Sequence, residues 1–267
     1  MSEHRVRAKK SLGQNFLTST KAVADIVQAA RISHGDTVLE IGPGKGVLTR
    51  ALLSAVGEAG RVVAVEKDDR LVPYLQELFA QEVAAGRLIL IHGDILEHPL
   101  NTLPLPSSYI LVANIPYYIT GALLRRALSE THQPTRAVLM LQKEVARRIV
   151  ARDGKESLLS LSVKVYGAPV YVRTVDAILF SPAPKVDSAI LLIDNISKNF
   201  FSDCSEDTFF SALKAGFAHK RKLLARNLES SFEPTAIARA LSVCDLPRTA
   251  RAEDIPLATW KRLVQEL

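Results

Sequence analysis

Thr37-Val38-Leu39-Glu40-Ile41-Gly42-Pro43-Gly44-Lys45-Gly46 is the stretch that decides the fold. Its first half is mostly β-branched and aliphatic, the composition of a strand buried on both faces. Its second half alternates glycine with other residues, which permits positive φ and close approach of a ligand to the backbone. From Gly46 to Val56 the periodicity becomes helical, so the stretch joins a strand to a helix through a glycine-rich turn. Outward from it the pattern repeats. Residues 61–66, 88–92, 109–113 and 136–142 read as strands; 21–30, 70–84, 121–130 and 144–151 read as helices. Residues 170–175 and 188–193 read as a closing antiparallel pair. Strands alternating with helices predict an α/β domain with a mostly parallel sheet covered on both faces. Near 196–199 the pattern changes, and only helical periodicity follows, at 207–216, 220–228, 235–241 and 258–267. Pro234, Pro247 and Pro256 punctuate it. The expected division is an α/β domain over 1–197 and an all-helical domain over 198–267. The latter, about 70 residues, is too small to have much core of its own.

Composition narrows the class. With 267 residues, 48% hydrophobic and 23% charged, the chain suits one good-sized domain plus a small one. It has no run of about 18 apolar residues, so no membrane span is expected. The basic N-terminus lacks an apolar core behind it, which argues against a secretory leader. It also lacks the amphipathic stretch of an organelle presequence. Cys204 and Cys244 have neither metal-ligand nor redox spacing and read as idle thiols in a reducing cytoplasm, with no metal site. A net charge of +6 and a pI near 9.3 permit a nucleic-acid partner without requiring one. Basic residues cluster at Arg5, Arg7, Lys9 and Lys10, at Arg147, Arg148 and Arg152, and at Lys220, Arg221, Lys222 and Arg226. Each cluster reads either as a solvated face or as a phosphate-binding rim, and three clusters flanking the candidate chemistry favour the rim.

The glycine turn is selective about its ligand. Val47 stands where a dinucleotide fingerprint needs its third glycine, and no lysine followed by Ser or Thr marks a P-loop. A nucleoside ligand without phosphates suits it better, and S-adenosylmethionine is such a ligand. Glu66 ends the second strand, where a carboxylate can accept from both ribose hydroxyls. Asp94, ending the third, could accept from an adenine amino group. Each acid alone is more often a helix N-cap, but ligand-type residues ending three successive strands favour a methyl-donor site. Asn114-Ile115-Pro116-Tyr117 follows the fourth strand. It reads as an ordinary turn or as a clamp for a planar amino group. In the second reading the Asn oxygen accepts from an exocyclic N–H, Pro stiffens the turn, and the Tyr ring stacks on a flipped base.

Taken together, these residues resemble the ribosomal RNA adenine N6-dimethyltransferases, and more narrowly the small-subunit type. The resemblance runs essentially end to end. It includes Lys10-Ser11-Leu12-Gly13-Gln14-Asn15-Phe16-Leu17, the segment from Glu40 to Gly46, Val65-Glu66-Lys67-Asp68, Gly93-Asp94 and the 114–117 tetrad. Phe180-Ser181-Pro182-Ala183-Pro184-Lys185-Val186-Asp187-Ser188 and the basic helix at 217–228 complete it. Ile115, where leucine is usual, is a mild departure that keeps volume and apolarity.

The resemblance implies a class I S-adenosylmethionine-dependent methyltransferase fold, a Rossmann-like seven-stranded sheet followed by a small C-terminal helical domain. It makes 1–197 the cofactor-binding catalytic domain, with the basic segment 1–20 contributing to its site, and 198–267 an RNA-binding domain. It implies cofactor contacts from Asn15, Leu17, Gly42, Glu66, Asp94 and Asn114. Catalysis would fall to Asn114, to the Pro116 carbonyl, and to Tyr117 and Phe180 sandwiching the base; by itself Phe180 reads as a core aromatic. RNA contacts would come from Lys185, Lys220, Arg221, Lys222 and Arg226. The implied reaction dimethylates N6 of two adjacent adenines in a 3′-terminal hairpin of small-subunit ribosomal RNA within an immature 30S particle. The cysteines point to the cytoplasm, and a monomer is expected because no exposed heptad or apolar stripe stands out. Two other readings stand beside it. One is a large-subunit RNA methyltransferase, against which the helical tail and the 180–188 segment argue. The other is a binding or assembly factor, although no residue expected for the chemistry is missing.

Overall fold

The computed structural model describes residues 7–9, 12–114 and 116–267. In chain order the elements are β1 (Phe16–Leu17), α1 (Thr20–Ala30), β2 (Thr37–Ile41), α2 (Val47–Val56), β3 (Arg61–Glu66), α3 (Leu71–Leu78), α4 (Ala80–Ala84) and β4 (Leu88–His92). There follow β5 (Ile110–Asn114), α5 (Thr120–Ser129), β6 (Arg136–Gln142), α6 (Lys143–Ile149), α7 (Leu158–Lys164), β7 (Ala168–Val175), β8 (Phe180–Ser181) and β9 (Ser188–Asp194). The last helices are α8 (Glu206–Gly216), α9 (Leu224–Leu228), α10 (Pro234–Val243) and α11 (Leu257–Glu266).

Among the described residues, seven strands form one sheet in the order β4-β3-β2-β5-β6-β9-β7. β2, β3, β4, β5 and β6 are mutually parallel, and β9 runs antiparallel to β6. Both faces are covered because side chains alternate along each strand. Val38, Val62, Ala64, Val112 and Val138 join one core with Ala22, Ile26, Leu52 and Leu75 from the helices. Leu39, Val63, Leu111 and Leu139 point the other way and are equally buried. Burying each such side chain contributes about 1.5–3 kcal/mol. β2 has β3 on one side and β5 on the other, so the strand order reverses there and opens a crevice at the carboxyl ends.

The chain divides into two units: 1–146 with 170–196, and 147–169 with 197–267. A single cut at 197/198 therefore corresponds to only part of the division, since 147–169 belongs with the helices. The physical reason is aromatic. Tyr166 stacks on Phe210 at 6.2 Å and its hydroxyl donates to Glu206, while the Glu156 amide donates to the Glu253 carbonyl at 2.8 Å. Within the helical unit Trp260 is fully buried and stacks on Phe217 at 5.7 Å. No helix among the described residues is long and apolar enough to cross a membrane.

Candidate active site

The carboxyl ends of β2, β3, β4 and β5 open onto a cleft that, counted with its open mouth, encloses about 820 Å³. Gly42, Glu66, Asp94 and Asn114 line it, one from each strand end. Backbone bonds hold these ends in register: the Gly42 amide donates to Val65 O and the Gly93 amide to Glu66 O, both at 2.9 Å. Glu66 is 5% exposed. Its Oε2 accepts from the Gly44 amide at 3.0 Å and its Oε1 from the Asp68 amide at 2.8 Å. Burial raises the Glu66 pKa, while these amide donors pull it back. Each oxygen retains acceptor capacity toward the cleft, as a pair of vicinal hydroxyls requires.

Asp94 is engaged as well. Its Oδ2 pairs with Lys67 Nζ at 2.5 Å and its Oδ1 accepts from the Leu96 amide at 2.9 Å. Burial pushes its pKa up, but the Lys67 bond and the Leu96 amide outweigh this and hold it below the ordinary aspartate value. Among the described residues, Lys67 is the one Lys or Arg lining the cleft, and its charge is directed at Asp94. A pyrophosphate would find no unpaired cation among the described lining residues. The donor set therefore fits an unphosphorylated nucleoside, as S-adenosylmethionine is.

A strap from the N-terminal segment closes one wall. Asn15 and Phe16 line the cleft, and β1 pairs antiparallel with β8, Phe16 opposite Ser181 and Leu17 opposite Phe180. Consecutive strand side chains face opposite ways, so Leu17 turns into the core at 7% exposure and its side chain does not line the cleft. Gly44 has to be glycine: it takes φ +58°, and a Cβ would lie 3.0 Å from the Phe16 ring.

On the acceptor side, Asn114 Nδ2 donates to the Asn15 carbonyl at 3.3 Å, which orients the amide and leaves Oδ1 free of the strap. The Pro116 carbonyl accepts from the Ile119 amide at 3.1 Å and retains a second lone pair. Tyr117 is half-buried; its hydroxyl shares a 2.9 Å bond with the buried Ser188 hydroxyl. Burial raises the Tyr117 pKa, and the Ser188 bond partly offsets this. Phe180 lines the cleft yet is only 5% exposed and belongs to the core. Its preceding turn, Ala177–Leu179, is pinned by the Ala177 amide donating to Asp187 at 3.2 Å, and Lys143 holds Asp187 at 3.1 Å.

The cleft thus gathers Asn15, Gly42, Glu66, Asp94, Asn114, Pro116, Tyr117 and Phe180, and leaves the Leu17 side chain outside. Lys185 is exposed in the catalytic unit. In the helical unit Lys220, Arg221 and Lys222 are exposed in the turn after α8, and Arg226 on α9 pairs with Glu229 at 3.1 Å. Arg5, Lys10, Ser11 and Ile115 lie outside the described residues. Sequence alone gives Gln14, Asp68 and Ser188 no role beyond their place in the motifs, and it does not single out Tyr118. Tyr118, 61% exposed, lines the cleft and was signalled only by its place beside Tyr117. The other three act through contacts distant in sequence.

This sheet order, with acids and an amide at successive strand ends around a cleft whose one described cation is paired with Asp94, defines an S-adenosylmethionine-dependent methyltransferase. The profile of the family described as ribosomal RNA adenine dimethylase matches residues 5–267, and the chain belongs to that family. A Dehalococcoides mccartyi protein named ribosomal RNA small subunit methyltransferase A is 40% identical over 269 residues, covering 100% of this chain and 90% of its own. A Thermosynechococcus vestitus protein of the same name is 39% identical, covering 98% and 97%. Among solved structures, the 23S rRNA methyltransferase ErmE superposes with a TM-score of 0.77 at 27% identity, covering 95% of this chain and 99% of that one. A Plasmodium falciparum dimethyladenosine transferase gives 0.78 at 26%, covering 93% and 95%.

Proposed function

We propose that this methyltransferase dimethylates N6 of two adjacent adenines in a 3′-terminal hairpin of small-subunit ribosomal RNA, acting as a cytoplasmic monomer on an immature 30S particle. The observation that carries this reading is Asn114. It sits at the end of β5 with its amide nitrogen engaged by Asn15 and its oxygen free at the cleft. The small-subunit target is supported by the names of relatives near 40% identity over the whole chain, against 27% for the 23S enzyme.

S-adenosylmethionine supplies, when bound, a methyl carbon on a positively charged sulfur that departs with the C–S electron pair as a neutral thioether. Glu66 would hold its ribose, Asp94 its adenine, and Gly42, Asn15 and Leu17 its methionine end. For Leu17 the burial of the side chain leaves only backbone contact. The adenine N6 lone pair is delocalised into the ring, so the amine needs help. Asn114 Oδ1 and the Pro116 carbonyl would accept its two N–H bonds, drawing the nitrogen toward tetrahedral geometry and stabilising the positive charge that develops as the N–C bond forms. The proton then leaves N6 to water. Tyr117 and Phe180 would hold the base between them, and positioning accounts for most of the remaining rate. Lys185, Lys220, Arg221, Lys222 and Arg226 would bind RNA phosphates outside the cleft, since RNA is recognised largely through shape, 2′-hydroxyls and phosphates.

Asn114→Ala tests the assignment. Methyl incorporation into immature small subunits should fall at least 100-fold, the scale of a lost charge-stabilising contact, while RNA affinity stays near wild type. Normal incorporation by this variant would refute the role of Asn114.

A further inference from the structure

Asp68 lies outside the cleft lining, yet it is the most heavily bonded carboxylate near it. Its side chain is fully buried and pairs twice with Arg70, through Nε to Oδ1 at 2.9 Å and through an Nη to Oδ2 at 2.6 Å. That pairing holds its pKa well below the carboxylate range against the opposing effect of burial. Asp68 also accepts from Gln14 Nε2 at 2.8 Å, across 54 residues of chain. Gln14 Oε1 in turn accepts from the Lys9 amide at 2.7 Å, and an Arg70 Nη reaches the Arg7 carbonyl at 3.4 Å. Three points of the N-terminal strap therefore depend on one anionic hub. The hub has a second output, because the Asp68 amide orients the Glu66 carboxylate. One residue beyond Gln14, the Asn15 carbonyl fixes the Asn114 amide.

We propose that Gln14 and Asp68 form a latch that seats the strap over the methyl donor and, through the Asn15 carbonyl, keeps the Asn114 oxygen aimed at the target amine. Both are positioning residues, since each acts through Asn15, Asn114 or Glu66. The latch couples the two halves of the site: the Asp68 hub sets the ribose acceptor and the strap together, and the strap continues into β1, which pairs with the Phe180 strand. Turning the Asn114 amide over would exchange its nitrogen and oxygen, and the Asn15 carbonyl opposes this, because an oxygen there would face an oxygen.

This inference rests on the roles proposed above for Asn114 and Glu66, and its test separates the two. The probe is S-adenosylhomocysteine, titrated calorimetrically into wild type, Gln14→Ala, Asp68→Asn and the double variant, with amide hydrogen exchange followed over residues 12–18. Gln14 is only half-buried, so Gln14→Ala leaves the core untouched should Asp68→Asn fail to fold. Losing one hydrogen bond to a buried charge should weaken binding about tenfold in Gln14→Ala. Exchange over 12–18 should quicken while the sheet keeps its protection, and kcat should fall together with the rise in KM for the donor. In the double variant Gln14→Ala should add little to Asp68→Asn. Unchanged affinity and strap exchange in Gln14→Ala, or additive effects in the double variant, would overturn the latch. Glu66→Ala and Asn114→Ala serve as the reference: if they too leave binding and transfer intact, the site assignment fails, whereas if they disable the site and Gln14→Ala is silent, only the latch fails.

Discussion

Glu40 shows how much a single residue in the deciding stretch can cost. It sits mid-strand in β2, 1% exposed, and neither carboxylate oxygen has a hydrogen-bond partner in full geometry. Burial raises its pKa from 4.5 to about 8; the nearby Thr49 hydroxyl lowers it slightly and the Glu66 charge adds to the rise. Folded protein therefore keeps a proton that unfolded chain releases above pH 4.5. Stability contributed by this group is complete below that pH and is lost as pH rises toward about 8, by as much as about 5 kcal/mol. Glu40→Gln abolishes that slope. Urea unfolding at pH 5 and pH 8.5 should show variant and wild type alike at the lower pH and the variant more stable at the higher; equal stabilities at both would refute the buried proton. At this scale much of the site was legible. Glu66, Asp94 and Asn114 were readable because strand ends in an α/β sheet meet on one edge. That Leu17 turns its side chain into the core was not legible, because a two-residue strand is too short to show its alternation. Gln14, Asp68 and Ser188 stand in the quoted motifs without a role, because their meaning lies in partners 54 to 71 residues away.

Among the elements, the departures from periodicity all trace to tertiary contacts. Residues 70–84 read as one helix, but it breaks at Phe79 into α3 and α4. The Phe79 ring is buried against Gly46, where a Cβ would lie 2.6 Å from it, and Arg50 caps the ring face at 5.1 Å. The expected helix at 220–228 begins only at Leu224, since Asn227 Nδ2 ties down the Gly216 and His219 carbonyls at the end of α8. Lys220, Arg221 and Lys222 consequently occupy a turn. Gly216 itself fits because α8 passes against Trp260: a Cβ would sit 2.5 Å from the indole. Gly216→Ala should destabilise the helical unit by about 1–3 kcal/mol through overpacking. Trp260 is the single tryptophan, so its fluorescence should shift to the red and the urea midpoint should drop. An unchanged spectrum and midpoint would show the contact to be slack. β1, β8 and α7 escaped the sequence reading because they are short and carry little periodicity of their own.

For the whole molecule, the α/β class, the parallel sheet and the helical C-terminal region followed from pattern alone, while the placement of 147–169 with the helices did not. That segment has ordinary helical composition, and it is assigned by contacts distant in sequence: the packing of Tyr166 with Phe201 and Phe210 and the Glu156 bond to Glu253. The charge of +6 acquires meaning at this scale too. If Lys220, Arg221 and Lys222 neutralise RNA phosphates, replacing all three by alanine should lower the dependence of log affinity on log salt by about 2, while affinity for S-adenosylhomocysteine is unchanged. An unaltered salt slope would remove that turn from the RNA interface. The central claim concerns the substrate, and one measurement addresses it directly. Wild-type protein is incubated with isotopically labelled S-adenosylmethionine and either small or large ribosomal subunits lacking the modification, and labelled nucleosides are mapped by mass spectrometry. The account predicts N6,N6-dimethyladenosine at two adjacent adenines of the 3′-terminal small-subunit hairpin and none in the large subunit. Label in large-subunit RNA, or at any single adenine that never acquires a second methyl, would contradict it.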